Sequence, residues 1–121
     1  NRDIVMLRPR NVYGPRERWL EMDTGAPFVY QKVTPTFIYH ALRNEPLPIF
    51  GDGEQESVYI YVGDVVRCFE AAIRSENASK VHHIPIGTEV HTSVNELADK
   101  IIKLTKSSST KRYLPMRQTS P

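Results

Sequence analysis

Apolar residues along this 121-residue chain fall alternately into short continuous runs and into helically spaced stripes. Ile4-Val5-Met6-Leu7 is an unbroken apolar run and predicts a buried parallel strand over residues 4–8. Asn11-Val12-Tyr13-Gly14-Pro15 ends it with turn chemistry, and residues 15–33 form a polar stretch carrying Trp19, Gly25 and Pro27. An irregular loop of that length inside a domain is commonly a functional lid. Thr34 as cap and Pro35 at the first helical position predict a helix, with Phe37, Ile38, Ala41 and Leu42 on its apolar face. Pro46-Leu47-Pro48-Ile49-Phe50 is extended, because each proline disfavours helix in its predecessor, and Gly51-Asp52-Gly53 turns the chain.

Ser57–Val62 alternates, with Tyr59 and Tyr61 on one face and Val58, Ile60 and Val62 on the other, as a strand does. Asp64 caps a predicted helix over 65–75 whose core stripe is Val65, Val66, Phe69, Ala72 and Ile73. Lys80–Ile86 reads as a strand. Ser93-Val94-Asn95-Glu96 is a capping box opening a helix to Thr105, with Val94, Leu97, Ala98, Ile101 and Leu104 facing inward. Ser107–Thr110 is a linker, and Arg112–Met116 a last extended segment. Alternating strands and helices predict an α/β fold in one domain spanning 1–121, with a small mixed sheet and three to four helices. Entry directly into a buried strand predicts a chain cut off from preceding elements.

Composition narrows the partners. The formal net charge is +2, and Lys and Arg do not cluster beyond pairs, which argues against nucleic acid. No run approaches the roughly 18 apolar residues of a membrane span. The N-terminus has no signal-peptide layout and Cys68 is the single cysteine, so a cytoplasmic protein is expected. Cys68 lies in an apolar run and reads as a buried inert thiol.

Motifs carry the chemistry. Arg8-Pro9-Arg10-Asn11-Val12-Tyr13-Gly14-Pro15 matches an R-x-x-N-x-Y-G-P pattern. Pro35-Thr36-Phe37-Ile38, followed by Glu45-Pro46-Leu47-Pro48-Ile49-Phe50-Gly51-Asp52-Gly53-Glu54-Gln55, matches a P-x-F-I … G-x-P-L-P-I-Y-G-D-G-x-Q pattern. Val58-Tyr59-Ile60-Tyr61-Val62-Gly63-Asp64-Val65 and Ile86-Gly87-Thr88 … Thr92-Ser93-Val94-Asn95-Glu96-Leu97-Ala98 complete the series. In this order and spacing the motifs resemble the extended short-chain dehydrogenases, the family of UDP-glucose 4-epimerases and dTDP-glucose 4,6-dehydratases. The resemblance implies the C-terminal, substrate-binding portion of a Rossmann-type, NAD-dependent sugar-nucleotide epimerase or dehydratase.

Residue by residue, the resemblance implies that Asn11 contacts the substrate pyrophosphate and that Pro9 borders the nicotinamide. Leu47, Pro48 and Phe50 would line the nucleotide-base pocket, and Arg117 would grip the diphosphate with its forked guanidinium. On the residues alone, Asn11 is equally an Asx-turn residue, Leu47–Phe50 a buried strand and Arg117 a solvated tail residue. Ser57 stands where the family has a diphosphate-binding arginine, which weakens the expected nucleotide-sugar binding. Pro85 replaces an asparagine, Gly63 a variable aspartate, and Arg117-Gln118-Thr119-Ser120 an R-P-G-D ending.

The chain contains neither the glycine-rich loop nor the Tyr-x-x-x-Lys pair of the family; Tyr39, with Arg43 four residues on, comes nearest. With no activated phenol and no dinucleotide loop, no catalytic residue and no bound NAD are expected of this chain alone, though NAD serves the full-length family. His82 and His83 are adjacent, point to opposite faces of a strand and make no metal pair. Asp52, Glu54 and Glu56 read as a solvated acidic turn. Two roles remain open: the substrate-binding part of such an enzyme, or a free-standing, non-catalytic nucleotide-sugar-binding or interaction module. A first strand with unpaired edges predicts a homodimer or strand-exchanged oligomer.

Overall fold

The computed structural model describes residues 4–17, 32–76 and 83–116. Strands β1 (Met6–Pro9), β2 (Val12–Tyr13), β3 (Leu47–Phe50), β4 (Glu56–Val58), β5 (Ile60–Tyr61), β6 (His83–Ile86), β7 (His91–Ser93) and β8 (Lys111–Leu114) alternate with helices α1 (Val33–Leu42), α2 (Val62–Arg74) and α3 (Val94–Thr105). The fold is α/β, with three helices among the described residues. Its strands pair two by two rather than in one continuous sheet. The chain sorts into two units, one of residues 1–15 and 57–91, the other of 16–56 and 92–121. No helix of the described residues is long and apolar enough to cross a membrane.

In the first unit β1 runs parallel to β6, with Met6 opposite His83 and Pro9 opposite Ile86, and β2 runs parallel to β5. Ile60, Val65 and Ile86 form its core, with Leu7, Val12 and Cys68 packed against them. The first strand was expected to be buried; instead Ile4, Met6, Arg8 and Pro9 are exposed, and Val5 and Leu7 are half-covered. A parallel strand is buried only when sheet and helices flank it on both faces. Here β6 supplies its one ladder among the described residues.

The expected strand over 57–62 breaks at Tyr59 and stops at Tyr61, because Val62 is already the first residue of α2. Asp64 therefore lies inside the first turn, bonded to Arg67, and is not the cap; Tyr61 holds that position without a side-chain bond. Of the stripe expected to be buried on α2, only Val65 is; Val66, Phe69 and Ile73 are exposed.

In the second unit β3 runs parallel to β8, pairing Leu47 with Lys111 and Phe50 with Leu114. Phe37, Ala41, Leu47, Ile49, Ala98 and Ile101 make one core, at about 1.5–3 kcal/mol for each large side chain removed from water. Helix α1 starts two residues earlier than expected, with Lys32 rather than Thr34 before its first turn, which moves Pro35 to the third helical position. Proline costs nothing there either, since the first-turn N–H groups have no partner within the helix. Ile38 and Leu42, expected on its inner face, are exposed.

Helix α3 keeps the capping box: Ser93 Oγ accepts from the Glu96 amide at 3.1 Å, and the Ser93 amide donates to Glu96 Oε2 at 2.9 Å. It ends at Lys106, whose left-handed φ of 52° lets the Lys106 and Ser107 amides close on Lys103 and Ile102. Leu104, expected inside, is exposed.

Candidate functional site

Of the described residues singled out from the sequence, Pro9 and Asn11 lie at the end of β1 and Leu47, Pro48 and Phe50 lie along β3. Pro9 is the last residue of β1 and is exposed. The next amide, Arg10, donates to the Ile86 carbonyl at 3.2 Å and closes the β1–β6 ladder. Asn11 follows with a left-handed φ of 39°, a conformation asparagine adopts more readily than most residues. Its Nδ2 donates to the Val58 carbonyl at 2.9 Å, and its own carbonyl accepts from the Ile60 amide at 3.3 Å. The side chain thus bonds 47 residues along the chain instead of making a local Asx-turn. One of its two amide hydrogens is committed there, leaving the second and the carbonyl oxygen as groups a ligand can meet.

The loop continues to Gly14. A Cβ at that position would lie 2.4 Å from Val62 Cγ1, so only glycine lets this turn close on the first residue of α2. Tyr13 and Tyr61, paired across β2 and β5, stack at a tilt with ring centroids 5.8 Å apart.

In the second unit the strand reading and the pocket reading divide along β3. Alternation turns Leu47 and Ile49 into the core, both completely buried, while Pro48 and Phe50 lie on the other face and remain partly exposed. The Leu47 side chain is therefore a core residue, and backbone is what it can present to a ligand. The Phe50 carbonyl already accepts from Gln55 Nε2 at 2.9 Å. Arg117 lies outside the described residues, as do His82 and most of the 15–33 stretch.

The turn after β3 falls where Gly51-Asp52-Gly53 predicts it, but it is held by a residue whose role the sequence did not disclose. Gly51 and Gly53 adopt φ of 81° and 77°, which an L side chain resists. Asn95, the second residue of α3, holds the turn: its Nδ2 donates to the Asp52 carbonyl at 3.0 Å and to Glu54 Oε1 at 2.6 Å. Its amide donates to the Gly53 carbonyl at 3.0 Å, and its Oδ1 accepts from the Tyr113 hydroxyl at 2.9 Å. Glu54 is thus engaged by protein rather than free in solvent, and its amide donates to Asp52 Oδ1 at 3.0 Å. Among the described residues no group of three or more His, Cys, Asp or Glu is placed to hold a metal.

Ahead of β3, Glu45 accepts from His40 at 2.9 Å and Arg43 at 3.1 Å, and these bonds, His40 first, hold its carboxyl below the usual range. Arg43 also lies 4.9 Å over the Tyr39 ring, so the nearest approach to a Tyr-x-x-x-Lys pair is a cation–π contact. Burial raises the Tyr59 phenol.

The likeness to known proteins extends along nearly the whole chain. Residues 1–87 match the model of the NAD dependent epimerase/dehydratase family. The UDP-N-acetyl-alpha-D-glucosaminuronate decarboxylase of Bacillus cytotoxicus is 34% identical over 118 residues, covering 98% of this chain and 34% of that protein. A crystal structure of UDP-glucose 4-epimerase with UDP-glucose from Thermotoga maritima superposes with a TM-score of 0.74 at 35% identity, over 93% of this chain and 33% of that one. UDP-glucuronic acid 4-epimerase from Bacillus cereus, in complex with UDP-glucuronic acid and NAD, superposes at 0.75 with 30% identity, over 94% of this chain and 33% of its own. The chain thus spans about a third of the length of the relatives it matches.

Proposed function

The chain belongs to the NAD-dependent epimerase/dehydratase family, and on that premise we propose that it is the nucleotide-sugar-binding portion of a sugar-nucleotide epimerase or dehydratase. The observation that carries this reading is the strand end at Pro9–Asn11. A left-handed asparagine is held there by Val58 and keeps a free amide hydrogen, on a backbone that superposes on epimerases crystallised with UDP-sugars. Pro48 and Phe50 supply the apolar surface against which a base packs, and Arg117 is the cation for the diphosphate.

Among the described residues, neither the first turn of α2 nor that of α3 suits a dinucleotide. A pyrophosphate needs unspent amides at a helix N-terminus after a glycine-rich turn. At α3 the Val94, Asn95 and Glu96 amides already donate to Gln55, Gly53 and Ser93, and the first turn of α2 carries the Asp64 carboxylate. On this reading NAD and the base acting on the sugar hydroxyl are supplied by a portion of the family's fold other than the described residues. When bound, NAD accepts and returns a hydride; the part assigned to this chain is to grip and orient the nucleotide-sugar.

Ser57 favours a second reading, a non-catalytic binding or interaction module, because it deprives the diphosphate of a forked partner. Calorimetric titration with UDP-glucose and dTDP-glucose tests the shared core of both. Saturable heat with either sugar is expected. A flat trace at millimolar ligand refutes nucleotide-sugar binding.

A further inference from the structure

In the second unit β3 and β8 form a sheet with two unlike faces. Their register sets Leu47 beside Lys111, Pro48 beside Arg112, Ile49 beside Tyr113 and Phe50 beside Leu114. Leu47, Ile49, Lys111 and Tyr113 belong to the helix side. Leu47 and Ile49 are core, Lys111 Nζ donates to Asp99 of α3 at 2.8 Å, and the Tyr113 hydroxyl donates to Asn95 of the same helix at 2.9 Å. Strand alternation therefore turns Pro48, Phe50, Arg112 and Leu114 to the far face. There Pro48, Phe50 and Leu114 are half-buried and Arg112 is exposed.

The far face sets one cation beside an apolar floor. Of these four side chains only Arg112 carries charge or hydrogen-bond donors. Its guanidinium has no hydrogen-bond or ion-pair partner among the described residues, whereas its neighbour Lys111 is paired with Asp99. Neighbouring strands lie about 4.8 Å apart and alternate residues of one strand about 6.6 Å, so the Arg112 side chain is long enough to cross Pro48 toward Phe50.

Position along β8 decides which part of a nucleotide-sugar meets this cation. Arg112 is the second residue of the strand, whereas Arg117, assigned to the diphosphate, follows the strand in the chain. A base resting on Pro48 and Phe50 then turns its phosphates one way and the edge remote from its ribose toward Arg112. For a pyrimidine that edge is the 4-position. Uracil and thymine carry a carbonyl acceptor there, and cytosine an amino donor. A guanidinium has donors only, so the carbonyl gains a charge-assisted bond and the amino group is left facing donors it cannot satisfy.

We propose that Arg112 reads the base of the nucleotide-sugar, donating to the 4-carbonyl of uracil or thymine and rejecting cytosine. The inference rests on the reading given under Proposed function and adds the class of base and the side chain that selects it.

The test is calorimetric titration of the chain with UDP and with CDP, which differ in the base alone. UDP is expected to bind roughly tenfold more tightly than CDP, or better, as the loss of one charge-assisted bond requires. Arg112→Ala removes that advantage, weakening UDP and leaving CDP where it was. Arg112→Gln, whose amide both donates and accepts, narrows the ratio while keeping more UDP affinity than the alanine variant. Lys111→Ala deletes the adjacent cation from the opposite face and leaves the ratio unchanged. Equal affinity for UDP and CDP in the parent overturns the proposal, and so does a preference that survives Arg112→Ala. Equal losses of UDP and CDP on Arg112→Ala also overturn it: with an unchanged thermal midpoint the residue serves the phosphates, and with a lowered one it serves the fold. UDP-glucose separates the two readings. Saturable heat with a UDP preference indifferent to residue 112 refutes the base assignment alone. Flat traces with UDP, CDP and UDP-glucose refute the nucleotide-sugar reading, and the base assignment falls with it.

Discussion

Replacing Gly53 by alanine strikes the turn that ties β3 to α3. The residue has φ of 77°, and a left-handed conformation costs an L residue roughly 1–2 kcal/mol. A Cβ built there lies 2.5 Å from Asn95 Oδ1, 2.7 Å from its Cγ and 2.8 Å from its Nδ2, so the whole side-chain amide has to move. That amide is not a free rotor: it donates to the Asp52 carbonyl and Glu54, and accepts from Tyr113. Losing two of these solvent-exposed bonds, at about 0.5–1 kcal/mol each, brings the expected destabilisation to about 2–4 kcal/mol.

Urea denaturation followed by circular dichroism, with hydrogen exchange of the α3 amides to localise the effect, measures it. Asn95→Ala supplies the control. In that background the clash disappears and Gly53→Ala is expected to cost the backbone strain alone, about 1–2 kcal/mol. The two substitutions should therefore be non-additive by more than the roughly 0.3–0.5 kcal/mol seen for independent sites. An alanine variant within about 0.5 kcal/mol of the parent, or strict additivity with Asn95→Ala, refutes the clamp.

Three further outcomes are expected. Ser57→Arg restores a charge-assisted partner for a diphosphate, at about 1.5–3 kcal/mol. Calorimetry should show UDP-glucose affinity rising at least tenfold, and an unchanged affinity places residue 57 away from the ligand. Ser93→Ala removes the capping hydroxyl of α3 and should lower stability by about 1 kcal/mol in chemical denaturation, whereas Ser93→Asp should retain most of it. Burial raises the Tyr59 phenol above its ordinary value of 10.0, so the folded chain keeps the proton that the unfolded chain releases. Stability is then complete below that pH and falls as pH rises through it; Tyr59→Phe should flatten the alkaline limb of the pH–stability profile, and an unaltered limb contradicts the assignment.

Local pattern was enough for much of this protein. The α3 capping box spans four residues, the Pro-bounded segment at 46–50 is extended by proline's own sterics, and Gly51 and Gly53 turn because only glycine accepts their φ cheaply. The ordered motifs from Arg8 to Ala98 were likewise enough for the family, since order and spacing survive in the sequence itself. The sequence reading grouped Leu47, Pro48 and Phe50 together, and the strand's alternation in the structure separates Leu47 from the other two.

Tertiary structure alone decided which apolar surface is core. Val65 and Val66 are equally hydrophobic neighbours on α2, yet one is packed against Ile60 and Ile86 and the other stands in solvent. It alone also showed that Asn11 is steadied by Val58 and that Gly53 is closed in by Asn95, contacts between residues 47 and 42 positions apart. Helix and turn propensity act over three or four neighbouring residues, so the sequence displays them directly. Burial and long-range hydrogen bonds depend on which segments meet, and that follows from the packing of the whole chain.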